Sequence, residues 1–170
     1  MSQPGGPRAP KPVDLSPEAW GRLPPLVQSV LLGLALGAVP RPRSWVYELL
    51  MDPAMRPDSP QRPTQEQIRN ALQVLGEGGW AEQDLRRTGY WVPAVAAVSW
   101  AWTQLMDLAP PATLRDALAR VDGYPALSLT RIGSARIPTV EAAVARVRLD
   151  LLSGGSWAQL EALAPLLPWG

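Results

Sequence analysis

The 170-residue chain has no cysteine and no histidine. The first absence excludes disulfides, thiolate chemistry and cysteine-based metal sites. The second removes the commonest general base and the commonest zinc ligand. Lysine occurs only at Lys11, inside a Pro/Gly-rich tail, so a serine nucleophile would have no well-placed nitrogen base. "GSARIP" (133–138) and "SGGS" (153–156) lack the lysine and the strand-to-helix setting of a phosphate loop. Acidic pairs occur only at surface spacing. No catalytic residue, no metal site and no cofactor is expected, and the chain reads as a non-enzyme.

A long apolar run is missing as well. The nearest approach is "LVQSVLLGLALGAV", residues 26–39, which is shorter than the roughly 20 residues a spanning helix needs and carries Gln28 and Ser29. As a signal peptide it would follow Arg8 and Lys11, but Asp14, Glu18 and two prolines intervene. The better reading is a buried core helix in a cytoplasmic protein that does not span a membrane. A charge excess of one sign is also absent, with 16 basic against 15 acidic residues. No global field for nucleic acid follows, so any such case must be local.

What the chain does have is 46% hydrophobic residues, 20 prolines and eight tryptophans but no phenylalanine, enough to bury the core of one domain or two small ones. The basic residues other than Lys11 are arginines. Arginine suits bidentate contacts with phosphate or guanine, although GC-rich coding produces the same bias. Trp45, Trp80 and Trp102 read as core. Trp100, Trp157 and Trp169 could serve an interface, where aromatics are enriched.

Residues 1–13 form a Pro/Gly-rich tail with little to bury. Ser16, Pro17 and Glu18 supply the chemistry of a helix start. A longer helix runs from about Pro25 to Gly37, and Ser44 caps a short one reaching Met51. The loop 53–63 is broken up by proline. Thr64 and Gln67 have capping-box spacing, and Ile68, Ala71, Leu72 and Leu75 make one apolar stripe, so 64–77 is a helix stopped by Gly76, Gly78 and Gly79. Trp80–Leu85 and Tyr90–Val92 read as the strands of a hairpin, with Gly89 available for positive φ in the turn. A helix follows in which Val95, Val98, Trp102 and Leu105 share a face. Thr113 caps another, ending near Val121. "LSLTRIGSARIP" (127–138) has room for a short strand. Thr139 caps a helix with Val140, Val144, Val147 and Leu151 on one face, and Ser156 caps a last one that Pro165 stops. These two form a helical hairpin whose apolar faces must pack on something.

The segments "TQEQIRNALQVLGEGGWAEQDL" and "RRTGYW" give an order of helix, short helix, capped helix and hairpin that resembles a winged helix-turn-helix domain. The resemblance covers about Pro25 to Val95. It implies a mostly α fold with a small β-hairpin: a winged-helix domain over 14–110, followed by a helical subdomain over 111–170. It also implies a recognition helix in "TQEQIRNALQ", with Gln65, Arg69, Asn70 and Gln73 facing base edges of double-stranded DNA. Arg86 and Arg87 at the wing tip, and Arg41 and Arg43 before the second helix, would meet phosphates. Such modules occur at the front of larger bacterial proteins, including transcription regulators and SNF2-type helicases.

Two functions are therefore expected. The first is a non-catalytic DNA-binding or recruiting module, the accessory domain of a larger DNA-acting protein. The alternative is a protein–protein adaptor that uses the same fold without DNA, its apolar faces and tryptophans docking a partner, the remainder of a longer chain, or a second copy as a homodimer. From Asp14 to Asp107 there are eight arginines against ten acidic residues, a net charge of −2 that favours the adaptor. The polar inventory of the 64–77 helix favours DNA.

Overall fold

The structure is a computed structural model that describes residues 13–86, 89–124 and 137–168. It is mostly helical, with a single two-stranded antiparallel sheet among the described residues. The helices are α1 (Pro17–Arg22), α2 (Pro25–Gly37), α3 (Arg43–Leu49) and α4 (Gln65–Glu77). After the hairpin come α5 (Val95–Leu108), α6 (Pro111–Asp122), α7 (Val140–Leu152) and α8 (Trp157–Leu163). The expected strand within 127–136 lies outside the described residues.

The apolar run that resembled a membrane segment is α2, the central helix. Val30, Leu31, Leu34 and Leu36 are completely or almost completely buried, and α2 touches α3, α4, α5, α7 and the strand Gly89–Trp91. A helix that is apolar all round needs neighbours all round, and here it has them. No described helix is long and apolar enough to cross a membrane.

Local chemistry sets most helix starts. Ser16, Thr139 and Ser156 each accept from the backbone N–H three residues on. Thr64 and Gln67 complete the reciprocal capping box. Two expected caps fail. Here α3 begins behind Pro42 and α6 behind Pro110, with no side-chain cap on either, so Ser44 and Thr113 fall inside their helices. A proline at the boundary fixes φ and lacks an N–H, which starts the helix earlier than the hydroxyl would.

The hairpin is shorter than its sequence suggests. β1 (Glu82–Asp84) pairs with β2 (Gly89–Trp91) in the register Glu82 with Trp91, Gln83 with Tyr90 and Asp84 with Gly89. Trp80 and Ala81 do not join the strand because both their N–H groups donate to Leu75 O, closing the end of α4. Gly89 is not a positive-φ residue. Its missing side chain serves packing instead: a Cβ there would lie 2.7 Å from Pro40 C and 2.8 Å from Arg41 N. That gap lets Arg41 bridge to β2, with Arg41 N–H donating to Tyr90 O at 3.0 Å and Tyr90 N–H to Arg41 O at 2.8 Å. Ala38 enables the approach. It turns the chain out of α2 at φ 65° and ψ −36°, with Val39 N–H donating to Gly37 O in a γ-turn.

One core crosses the expected boundary at residue 110. Leu114, Ala117 and Leu118 of α6 and Ala145 and Leu149 of α7 belong to the same buried cluster as α2, α4 and α5. A smaller cluster joins Ala119, Tyr124, Ile137, Ala142 and Ala143. Between α6 and α7, buried Asp150 accepts from Arg115 at 2.6 Å and from Arg146 at 3.0 Å. The Tyr124 hydroxyl lies in the same region, where burial pushes its pKa up to about 12.

Gly89→Ala tests the hairpin contact. The clash with Pro40 and Arg41 should cost about 1–3 kcal/mol of stability, measured by urea denaturation. An unchanged midpoint would mean that β2 does not rest against Arg41.

Candidate interaction surfaces

The expected DNA face centres on α4. Its apolar stripe of Ile68, Ala71, Leu72 and Leu75 is buried, so Gln65, Glu66, Arg69, Asn70, Gln73 and Glu77 point outward. This is the amphipathic split that the spacing predicts. The outward side chains are partly engaged with one another. Arg69 pairs with Glu66, its Nε donating at 3.0 Å and its Nη2 making a second bond. Gln73 donates to Glu77 at 3.0 Å. The Arg69 guanidinium holds the Glu66 carboxyl below its ordinary range, and Glu66 raises the pKa of Arg69 in return. Gln65 and Asn70 side chains make no hydrogen bond among the described residues. Arg43 and Arg86 are exposed, and Arg87 lies outside the described residues.

Arg41 departs from its expected place. It is buried, with a relative exposure of 4%, and cannot meet a phosphate. Its Nη1 and Nη2 donate to the two carboxylate oxygens of Asp122 at 2.9 and 3.3 Å. Nη2 also donates to Glu141 O at 3.0 Å, and Nε to Gly37 O at 3.2 Å. The guanidinium lies 4.5 Å above the Trp45 ring, whose Nε1–H donates to Asp122 at 2.8 Å. The site is a cross-brace joining α2, α3, α6 and α7. Sequence reasoning missed it because Asp122 and Glu141 are distant in the chain.

A second surface has no counterpart among the expected site residues. Between α5 and α7 lies an apolar groove of about 980 Å³, with Ala38 and Trp91–Pro93 also lining it. Its walls come from α5 (Val95, Val98, Trp102, Met106) and α7 (Val144, Val147, Leu151, Leu152). The α7 contribution inverts the expected orientation of that helix. Ala142, Ala145 and Leu149 face the core with Arg146 and Asp150, while Val140 and Leu151 are more than half exposed. Val95 is also exposed, at 81%, although the sequence places it on one face with the buried Trp102 and Leu105. Small alanines let α7 come close to α2 and α6, which the valine face could not do without pushing the helices apart.

Arg148 is the one charged side chain among the described residues that line the groove. It is half-buried, its guanidinium carbon 5.7 Å from the Trp102 ring centre. It forms no ion pair or hydrogen bond among the described residues, and burial alone lowers its pKa. Trp102 itself is buried, and its Nε1–H has no partner among the described residues. The valine rows of the sequence were a readable sign of this surface, but which way they faced was not.

Removing Asp122 would leave Arg41 charged and unpaired inside the protein. Asp122→Ala should therefore destabilise by about 3–5 kcal/mol in urea denaturation. A loss under 1 kcal/mol would show that the brace is not needed. On α4 the Glu66–Arg69 pair stabilises above the depressed Glu66 pKa and is lost as pH falls through it. Arg69→Ala should move the NMR titration of Glu66 back up with little change in stability, because the pair is exposed. No protein-family model matches the chain, and no curated protein or solved structure does.

Proposed function

We propose that this chain is a cytoplasmic, non-catalytic interaction module in which residues 25–95 adopt a winged-helix arrangement and the α5/α7 groove docks a protein partner. Element order supports the arrangement: α2, the extended Arg41 paired with β2, α3, α4, and then the hairpin. Both α3 and α4 pack on α2, as the helices of such a unit do.

The observation that carries docking is the groove itself. Its rim exposes Val95, Val144, Leu151 and Leu152, and contiguous apolar surface of this kind marks interaction sites. The electrostatics of the α4 face point the same way. Arg41 is inside the protein and Arg69 is neutralised by Glu66, so few cations remain to attract a phosphate backbone. DNA contact keeps one specific observation in its favour. Gln65 and Asn70 are exposed on α4, their side chains without a hydrogen bond among the described residues, and amide side chains of this kind can read adenine edges.

Fluorescence anisotropy with mixed duplex DNA separates the readings. At low and at physiological salt, micromolar chain should give no salt-sensitive binding, whereas a non-specific DNA binder has a Kd of roughly 1–100 μM. The groove should in turn enhance the fluorescence of an apolar dye such as anilinonaphthalene sulfonate, and Val144→Asp with Leu151→Asp should abolish that signal while far-UV circular dichroism is retained. Salt-sensitive DNA binding that disappears in Arg86→Ala with Arg87→Ala would return the function to the α4 and hairpin face.

A further inference from the structure

We propose that the α5/α7 groove receives an amphipathic helix from a different protein, and that this helix brings an acidic residue to Arg148. The inference rests on the docking reading above and names the partner that fits the site.

The shape comes first. Val95, Val98, Trp102 and Met106 form one wall at spacings of three and four, and Val144, Val147 and Leu151 form the other in the same way. At 1.5 Å per residue the α5 wall is about 16 Å long, or three helical turns. Two rows of this kind lining one groove accept a third helix whose own apolar residues recur at i, i+3, i+4 and i+7.

The charge selects the helix. Arg148 is a partly desolvated cation without a counter-ion among the described residues. Among the described residues no carboxylate lines the groove. In such surroundings a carboxylate placed against Arg148 interacts more strongly than it would in water. A helix that is apolar along one stripe and bears Asp or Glu beside it meets both requirements.

Other occupants bring the wrong charge. A two-fold pairing of this face with a second copy would bury two Arg148 side chains in one interface with no acid from the described lining of either. The segments 1–12 and 125–136 contain Arg8, Lys11, Arg131 and Arg136 but no acidic residue.

The test is selection from a phage-displayed library of 16-residue peptides on the purified chain, with counter-selection on Val144→Asp/Leu151→Asp. Selected peptides should carry apolar residues at helical spacing and Asp or Glu at one fixed position. Panning on Arg148→Glu should change that position to Lys or Arg. A peptide selected on the unaltered chain should bind Arg148→Glu about ten-fold more weakly or worse. Arg148→Met preserves the apolar stem and should remove the acidic preference, so the claim stays testable if Arg148→Glu does not fold. Apolar selection with no acidic position would overturn the role of Arg148 while leaving the docking reading intact. No enrichment over the counter-selected variant would remove both. Sedimentation that shows a dimer, lost in Val144→Asp/Leu151→Asp, would place a second copy in the groove and overturn the choice of partner.

Discussion

Arg41 leaves the C-terminal end of α2 through a strained γ-turn, and its guanidinium folds back to donate to Gly37 O. From that position one side chain and its own peptide group reach β2, the Trp45 ring, Asp122 and Glu141. A buried cation is tolerable only with a counter-charge and nearly complete hydrogen bonding, and Arg41 has both. Each neighbour is therefore held at a set distance from it. Gly37 and Gly89 are shaped to the same constraint. A Cβ on Gly37 would lie 2.9 Å from Arg41 Cγ, and one on Gly89 would press on the Arg41 backbone. The brace fixes where α6 and α7 stand against α2 and α3, and so helps to position the groove that α7 forms with α5.

This internal use of arginine bears on function. Arg56 donates to Leu50 O and Ser59 O, and Arg120 donates to Glu48 O and Leu49 O at the end of α3. Arg115 and Arg146 share Asp150. The fork geometry of guanidinium, which made arginine a candidate for phosphate contact, here satisfies carbonyls and carboxylates of the protein itself. Arg41 is thereby withdrawn from the surface and Arg69 is paired with Glu66, which is the physical ground for favouring a protein partner over DNA. Among the described residues the one half-buried arginine without such a partner, Arg148, lies in the apolar groove.

The groove exists because helix α7 faces the opposite way from its strongest apolar row. Alanines at 142, 143 and 145 permit close packing that valine does not, and Arg146 and Asp150 turn inward because they find each other and Arg115. The valine and leucine row is then left to form a wall with α5. The packing that completes the interior thus creates the exterior apolar surface.

The sequence by itself determined the local structure that depends on near neighbours. The capping box of Thr64 and Gln67, the buried stripe of α4, the caps at Ser16, Thr139 and Ser156 and the existence of the hairpin were all legible, because the groups concerned lie within a few residues of one another. The apolar character of α2 was legible too, as was its shortness for a membrane. Only tertiary structure decided that Arg41 is inside, since its counter-charge lies 81 residues away. It also decided that Gly89 serves close packing rather than a left-handed turn, and that one core joins both sides of residue 110. The orientation of α7 could not be read from periodicity, which gives the faces of a helix but not which of them its neighbours will accept.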